Sequence, residues 1–317
     1  MRTIKKFHIV TLCLVLTSIA TFLVVTHIKP TTHVNQLPVD MRHLTDSIIK
    51  IESAYPGEIG VAIIINNTDT VVVNNENKYP MMSVFKLHQA IALCHEFDKT
   101  GQSLDSVIRF SRDRLDPHTW SPMLKEHSEP TISLSIKDLL LHTLTQSDNN
   151  ASNLMFKELV NIAETDSIIA TIIPRSSFRI SYMEEEISAD HDKAYSNRTS
   201  PLGAAVLINR LFTDSILSRK NQTFVTNTLQ ECKTGKDRIA APLLNKQGVK
   251  IAHKTGSGYT DKNGVLTAHN DVAFIILPDS THYALAVFVK DFHGNETNAA
   301  RAIAHISSAV YTILSRH

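Results

Sequence analysis

Charge of one sign is what this sequence most lacks. Lys and Arg number 32 and Asp and Glu 31 among 317 residues, a formal net charge of +1 with no long basic run. Nucleic acids and anionic membrane surfaces are held through basic footprints, so neither is expected as the main partner. A small neutral or anionic ligand suits the balance better. Metal-binding patterns are also missing: 16 histidines include no His-x-His and no His-Glu-x-x-His, so neither a metal nor a cofactor is expected. Cysteine is scarce, at three residues, Cys13, Cys94 and Cys232. With 43% hydrophobic residues a chain this long builds a core without staples. Cys94 and Cys232 are then either a disulfide formed in an oxidising compartment or two buried free thiols.

One long apolar run is present, at the start. Arg2, Lys5 and Lys6 precede Ile9 to Ile28, the positive-then-apolar order of an export signal. Ser18-Ile19-Ala20 offers a small-x-small cleavage site, yet the run continues far enough to span a bilayer. Residues 1–28 read as a signal peptide or a signal anchor, and Cys13 lacks the preceding small residues of a lipid-attachment site. A Pro-containing tether covers 29–40, and the folded domain covers 41–317.

Within that domain the apolar pattern changes twice. A helix opens near residue 40, and Gly60 to Ile65, a polar turn and Thr70 to Val73 read as a β-hairpin. From about 83 to 229 the pattern is helical, as in Ile136–Leu144 and Pro201–Phe212. Strand patterns return at Val249–His253, Val272–Leu277 and Tyr283–Val289, and a helix closes the chain from about Asn295. There is no internal repeat. Strands at both ends with helices between them predict an α+β fold: an antiparallel sheet built from both chain ends, with flanking helices and an inserted all-helical half. The junction of the two halves is the expected place for a site.

Three short motifs carry chemistry. Ser83-Val84-Phe85-Lys86 opens the helical block, so Lys86 follows Ser83 by one turn on one helix face, where it can help activate the hydroxyl as a nucleophile. Ser147-Asp148-Asn149 follows a helix; Ser147 can pass a proton to a leaving nitrogen, and the Asn149 amide can hold a carbonyl. Lys254-Thr255-Gly256-Ser257-Gly258 ends an apolar strand, where Gly256 lets a flat ligand approach the backbone and Lys254, Thr255 and Ser257 can bind a carboxylate. A second Lys-Thr-Gly, at 233–235, follows no strand and reads as a loop. Taken singly, each motif is equally a helix start, a helix cap or a surface turn.

Together and in this order, the three motifs form the set shared by class A β-lactamases and penicillin-binding proteins. From about residue 40 to its end the chain resembles that family. It is most similar to the CfxA-type cephalosporin-hydrolysing branch, through Met81-Met-Ser-Val-Phe-Lys86, Thr145-Gln-Ser-Asp-Asn-Asn150 and Ala252-His-Lys-Thr-Gly-Ser-Gly-Tyr259. The resemblance implies an exported, periplasmic, monomeric enzyme acting on a small-molecule β-lactam through an acyl-enzyme on Ser83. The backbone amides of Ser83 and Ser257 would form the oxyanion hole, and Lys86, or Glu184 through a water, would be the base of acylation. A deacylating base is implied in Tyr182-Met-Glu-Glu-Glu-Ile-Ser188. The register of the branch selects Glu184, with Glu185 and Glu186 as neighbouring alternatives.

Tyr182 and Ser188 stand where the family has an arginine and an asparagine, which implies a different loop conformation, while Asn153 matches the residue that bridges to this loop. Trp120 resembles the aromatic at the mouth of the site. An arginine common in the family after the third motif has no evident replacement, which leaves a substrate carboxylate to Lys254, Thr255 and Ser257. The alternatives are a D,D-peptidase or a membrane-anchored β-lactam sensor, in which the acyl group would persist.

Overall fold

The computed structural model describes residues 39–76 and 78–315. The signal or anchor at 1–28 and the tether lie outside the described residues, except that the last two tether positions already belong to the first helix. No helix among the described residues is long and apolar enough to cross a membrane.

Helix α1 (Val39–Glu52) places Met41, Leu44 and Ile48 on one buried stripe. The hairpin follows as β1 (Glu58–Ile65) and β2 (Asp69–Val73). Its turn carries Asn66 and Asn67 at φ 48° and 61°, a left-handed conformation that asparagine tolerates well. The short β3 (Tyr79–Pro80) leads through a 3-10 turn, Met82–Val84, into α2 (Phe85–Thr100). Every residue of α2 from Phe85 to Cys94 is buried, so this helix is the axis of the inserted half.

Around it lie β4 (Val107–Ser111), α3 (Pro122–Glu126), β5 (Thr131–Ser135), α4 (Ile136–Thr145), α5 (Asn149–Glu158) and α6 (Ile162–Ile169). Then come β6 (Phe178–Arg179), α7 (Glu184–Ala189), β7 (Arg198–Thr199), α8 (Pro201–Thr213) and α9 (Arg219–Gln230). The inserted half is helical in its body and carries two small antiparallel sheets at its margins, β4-β5 and β3-β7-β6. These strands are only two to five residues long, too short for a period-2 pattern to stand out.

The chain returns to the main sheet through β8 (Lys250–Ser257), β9 (Val265–Ile276) and β10 (His282–His293), and ends in α10 (Glu296–Leu314), capped by Asn295. Strand order is β2-β1-β10-β9-β8, antiparallel at every pairing. Alternate residues serve two cores. Val61, Ile63, Leu285 and Val287 pack with α1 and α10, while Ala62, Ala286, Phe288 and Phe274 join the core of the helical half. Burial on both faces explains why β1, β10 up to Val289 and the part of β9 from Val272 read as nearly continuous apolar runs. Each fully buried Ile or Leu there contributes about 1.5–3 kcal/mol. The order leaves β2 and β8 at its edges, and β8, largely buried, carries Lys254-Thr255-Gly256-Ser257 to the seam between the halves.

Candidate active site

Ser83 sits in the 3-10 turn that runs straight into α2, and two features hold that turn in place. Met82 adopts φ 45°, a strained value for a non-glycine residue, and β9 supplies the restraint. Buried Asn270 donates to the carbonyls of Pro80 and Met81 at 2.7 and 3.2 Å. From the other side, β8 presses in so closely that a Cβ on Gly256 would lie 2.4 Å from the Met81 carbonyl oxygen. Glycine is required there by contact, not by an unusual φ.

One helical turn beyond Ser83, the fully buried Lys86 ammonium has four oxygen neighbours. They are Ser83 Oγ (3.1 Å), the Ser147 carbonyl (2.9 Å), Asn149 Oδ1 (2.6 Å) and Glu184 Oε1 (2.9 Å). Ser83 itself donates to Glu184 Oε1 at 2.7 Å. Burial pushes the Glu184 carboxyl upward, but the charge of Lys86 and the hydrogen bonds from Ser83 and Lys86 outweigh it and hold the group below its usual range. The neighbouring glutamates are elsewhere: Glu185 pairs with Lys157 at 2.5 Å, and Glu186 caps α7 by accepting from the Met183 amide at 3.0 Å.

The loop that bears Glu184 is fixed by Asn197. Its Oδ1 accepts from the Ser181 and Tyr182 amides at 2.7 and 3.0 Å, its Nδ2 donates to the Tyr182 carbonyl at 2.7 Å, and its own carbonyl accepts from the Met81 amide at 2.8 Å. Asn197 therefore ties the carboxylate loop to the serine turn. Asn153 adds a bond from the Glu185 amide at 3.3 Å, and the rings of His191 and Tyr259 stack at 3.6 Å between this loop and the end of β8.

Ser147 has φ 59°, and Asp148 beside it is fully buried. The Asp148 carboxylate accepts from Ser121 Oγ (2.9 Å), the Met123 amide (2.7 Å) and the Ala151 amide (2.9 Å), so it caps α5 and anchors the Trp120 segment at once. Trp120 is 56% exposed and donates to the Gln146 carbonyl at 2.9 Å, a rim position and not a core one. Lys254 is fully buried, donating to Ser147 Oγ at 3.0 Å and to the Thr255 carbonyl at 2.9 Å. Burial and the nearby Lys86 push its ammonium down to about 7. Its charge acts from behind Ser147 and Thr255 rather than on the pocket surface.

These groups surround a cavity of about 350 Å³. Ser83, Ser147, Asn149 and Glu184 line its base, with Trp120 at the rim and Thr255 and Ser257 along the β8 side. Lys86, Lys254 and Gly256 stand behind that lining. Two expectations need correction. The loop copy of Lys-Thr-Gly is indeed a loop, but Thr234 lines the cavity and its hydroxyl lies 2.6 Å from that of Thr255. An arginine does reach the carboxylate side: Arg238 donates to Ser257 Oγ at 2.5 Å and to the carbonyls of Gly256 and Asn270 at 3.0 and 2.7 Å. It arrives from the turn after α9, sixteen residues before Lys254, so nothing in the local sequence around the third motif signals it. His118, Thr119 and Tyr259 also line the cavity and were not singled out. Cys94 and Cys232 are free thiols, which removes the disulfide alternative. Among the described residues no group of three or more His, Cys, Asp or Glu side chains could hold a metal ion.

The sequence profile of the β-lactamase enzyme family matches residues 43–314. The chain belongs to the class A serine β-lactamases. It is 68% identical over 271 residues to a β-lactamase of Phocaeicola vulgatus, covering 86% of this chain and 84% of that one. To the extended-spectrum β-lactamase PER-1 of Pseudomonas aeruginosa it is 30% identical, over 83% of this chain and 85% of the other. Among solved structures, a class A β-lactamase from Bacteroides cellulosilyticus superposes with a TM-score of 0.83 at 28% identity, over 88% of this chain and all of that one. The TLA-3 extended-spectrum β-lactamase gives 0.83 at 30% identity, over 87% and 100% of the two chains. As a β-lactamase, the protein hydrolyses the β-lactam amide, and its α+β architecture is that of the class.

Proposed function

We propose that this β-lactamase acts on cephalosporins through an acyl-enzyme on Ser83, with Glu184 serving both acylation and deacylation. The observation that carries this reading is the 2.7 Å bond from Ser83 to Glu184, with Lys86 donating to Ser83 Oγ and forming an ion pair with Glu184. The Ser83 hydroxyl donates to the Glu184 carboxylate and accepts from Lys86 Nζ, so the carboxylate is the group toward which its hydrogen already points. Ser83 Oγ attacks the ring carbonyl as its proton moves to Glu184, and the developing oxyanion rests on the amides of Ser83 and Ser257. The C–N bond then breaks. Ser147 gives a proton to the leaving nitrogen and regains one from Lys254 Nζ, 3.0 Å from its Oγ, while Glu184 releases the serine proton to solvent and Lys254 takes one back from solvent.

In the second half, Glu184 takes a proton from a water that attacks the ester carbonyl, and Ser83 leaves with a proton. Asn149 holds the acyl-side carbonyl and Trp120 covers the mouth. The antibiotic's carboxylate meets Thr234, Thr255, Ser257 and Arg238, with Lys254 adding charge from behind. The preference for cephalosporins is supported by the resemblance to the CfxA-type branch and by relatives whose names include extended-spectrum enzymes. The protein works as an exported monomer in the periplasm, free or held by its N-terminal segment.

Steady-state kinetics on a cephalosporin and a penicillin of matched side chain test the substrate claim. A higher kcat/KM for the cephalosporin, abolished in Ser83→Ala, is expected; equal or reversed values would refute the preference.

A further inference from the structure

The dipeptide Arg238-Ile239 joins the pocket to the core packed against α1 and α10. Arg238 lines the cavity, while Ile239, fully buried, belongs to that core. Both backbone polar groups of Ile239 are taken by buried side chains from other elements. Its amide donates to Asp271 Oδ2 on β9 at 3.2 Å, and its carbonyl accepts from Ser307 Oγ on α10 at 2.8 Å. Ser307, itself fully buried, is the polar exception among the buried alanine, isoleucine, valine and leucine of α10. A hydroxyl in such a place costs free energy unless it is hydrogen-bonded, and the Ile239 carbonyl is its partner. The hydrolytic steps use neither Ser307 nor Asp271.

We propose that Ser307 and Asp271 are positioning residues: they clamp Ile239 from two sides and thereby fix Arg238, so that the helix at the end of the chain sets the affinity for the antibiotic's carboxylate without touching it. The inference rests on the reading of Arg238 as a ligand of that carboxylate. Arginine has many rotamers and loses conformational entropy when it is held in one. Here that loss is met before substrate arrives.

The guanidinium is fastened to the Gly256 and Asn270 carbonyls at 3.0 and 2.7 Å and to Ser257 Oγ at 2.5 Å. Those bonds hold the head of the side chain, and the clamp on Ile239 holds its root. The root lies in an irregular turn, where the Arg238 amide donates to the Gly235 carbonyl at 3.0 Å. Releasing Ile239 lets the backbone at 238 shift. The head must then give up its angle to the carboxylate or its bonds to β8 and β9, and a charge that has to rearrange on binding contributes less than one already in place. Asp271 also holds His253 Nδ1, at 3.0 and 3.2 Å, so Ser307 is the cleaner of the two residues to vary.

The experiment measures kcat and KM for a cephalosporin with a free carboxylate and for its methyl ester, in wild type, Ser307→Ala, Arg238→Ala and the double variant. The ratio of the two kcat/KM values, acid over ester, cancels any change in the fraction of folded enzyme, so a loss of stability alone does not move it. One neutral hydrogen bond corresponds to about two- to tenfold in an equilibrium constant, and Ser307→Ala should lower the ratio by about that factor, through a higher KM for the acid with little change in kcat. Arg238→Ala should lower it further. Adding Ser307→Ala to Arg238→Ala should lower it no more, because the clamp acts through the arginine. Asp271→Asn, which keeps an acceptor for the Ile239 amide, should lower the ratio less than Asp271→Ala.

An unchanged ratio in Ser307→Ala overturns the proposal, as does a further loss in the double variant, which would place the effect elsewhere than Arg238. Asp271→Asn no better than Asp271→Ala removes Asp271 from the clamp. An unchanged ratio in Arg238→Ala is a different failure: it withdraws the arginine from the carboxylate, and the proposal falls with that reading. The preference for cephalosporins does not enter, since acid and ester share one ring system.

Discussion

Two buried lysines, one arginine and one glutamate set the behaviour of the pocket, and their charges make different demands on pH. Glu184 is held below the usual carboxylate range by Lys86, so it stays ionised well into acid. Lys254 is pushed down to about 7, so it is charged below that pH and loses its charge above it. Because kcat/KM reports ionisations of the free enzyme, it should fall as pH rises through about 7. On the acid side it should fall only below the ordinary glutamate range. A profile that stays level into strong alkali would contradict the role given to Lys254. Arg238 offers a sharper handle: charged hydrogen bonds are each worth about 1.5–3 kcal/mol, so Arg238→Ala should lower kcat/KM by about ten- to a hundredfold, mainly through KM. Arg238→Lys, which keeps charge but loses the planar fork, should recover part of the loss; an unchanged KM in Arg238→Ala would remove the residue from substrate binding.

Single elements transmit order to the site. Asp148 joins the start of α5 to the Trp120 segment through three acceptor contacts in a fully buried place. Asp148→Ala leaves those donors unsatisfied as well as removing a helix cap, and should cost about 2–4 kcal/mol in urea unfolding, with Asp148→Asn losing less. A loss below about 0.5 kcal/mol would mean that this contact set does not stabilise the fold. The same element scale separates what was legible in the sequence from what was not. Ser83 with Lys86, Ser147 with Asn149, and Thr255 with Ser257 are local groupings, readable because each is set by the period of one helix, turn or strand. Arg238, Thr234 and Asn197 escaped that reading because each enters from a loop and reaches the site only through long-range packing, which leaves no periodic trace.

At the scale of the whole molecule, the sheet needs both ends of the chain, and the helical half lies between them in sequence. Strand identity and sheet composition were legible from β-branched runs bounded by turn residues, as at Gly60–Ile65 and Tyr283–Val289. Strand length was less so: β9 begins at Val265, ahead of the apolar run from Val272, because His269, Asn270 and Asp271 are polar yet buried, the last two with side-chain hydrogen bonds at the seam. Two of those positions brace the seam: Asn270 holds the serine turn, and Asp271 holds His253 beside Lys254. The serine, its lysine and its carboxylate share one contact network at the meeting of the two halves, so the decisive step is how the acyl group is removed. Time-resolved mass spectrometry of the protein with a cephalosporin tests it most directly. Wild type should turn over without a lasting adduct, Ser83→Ala should show none, and Glu184→Gln should accumulate an acyl-enzyme that clears about 10²- to 10⁴-fold more slowly; full turnover in Glu184→Gln, or a long-lived wild-type adduct, would contradict it.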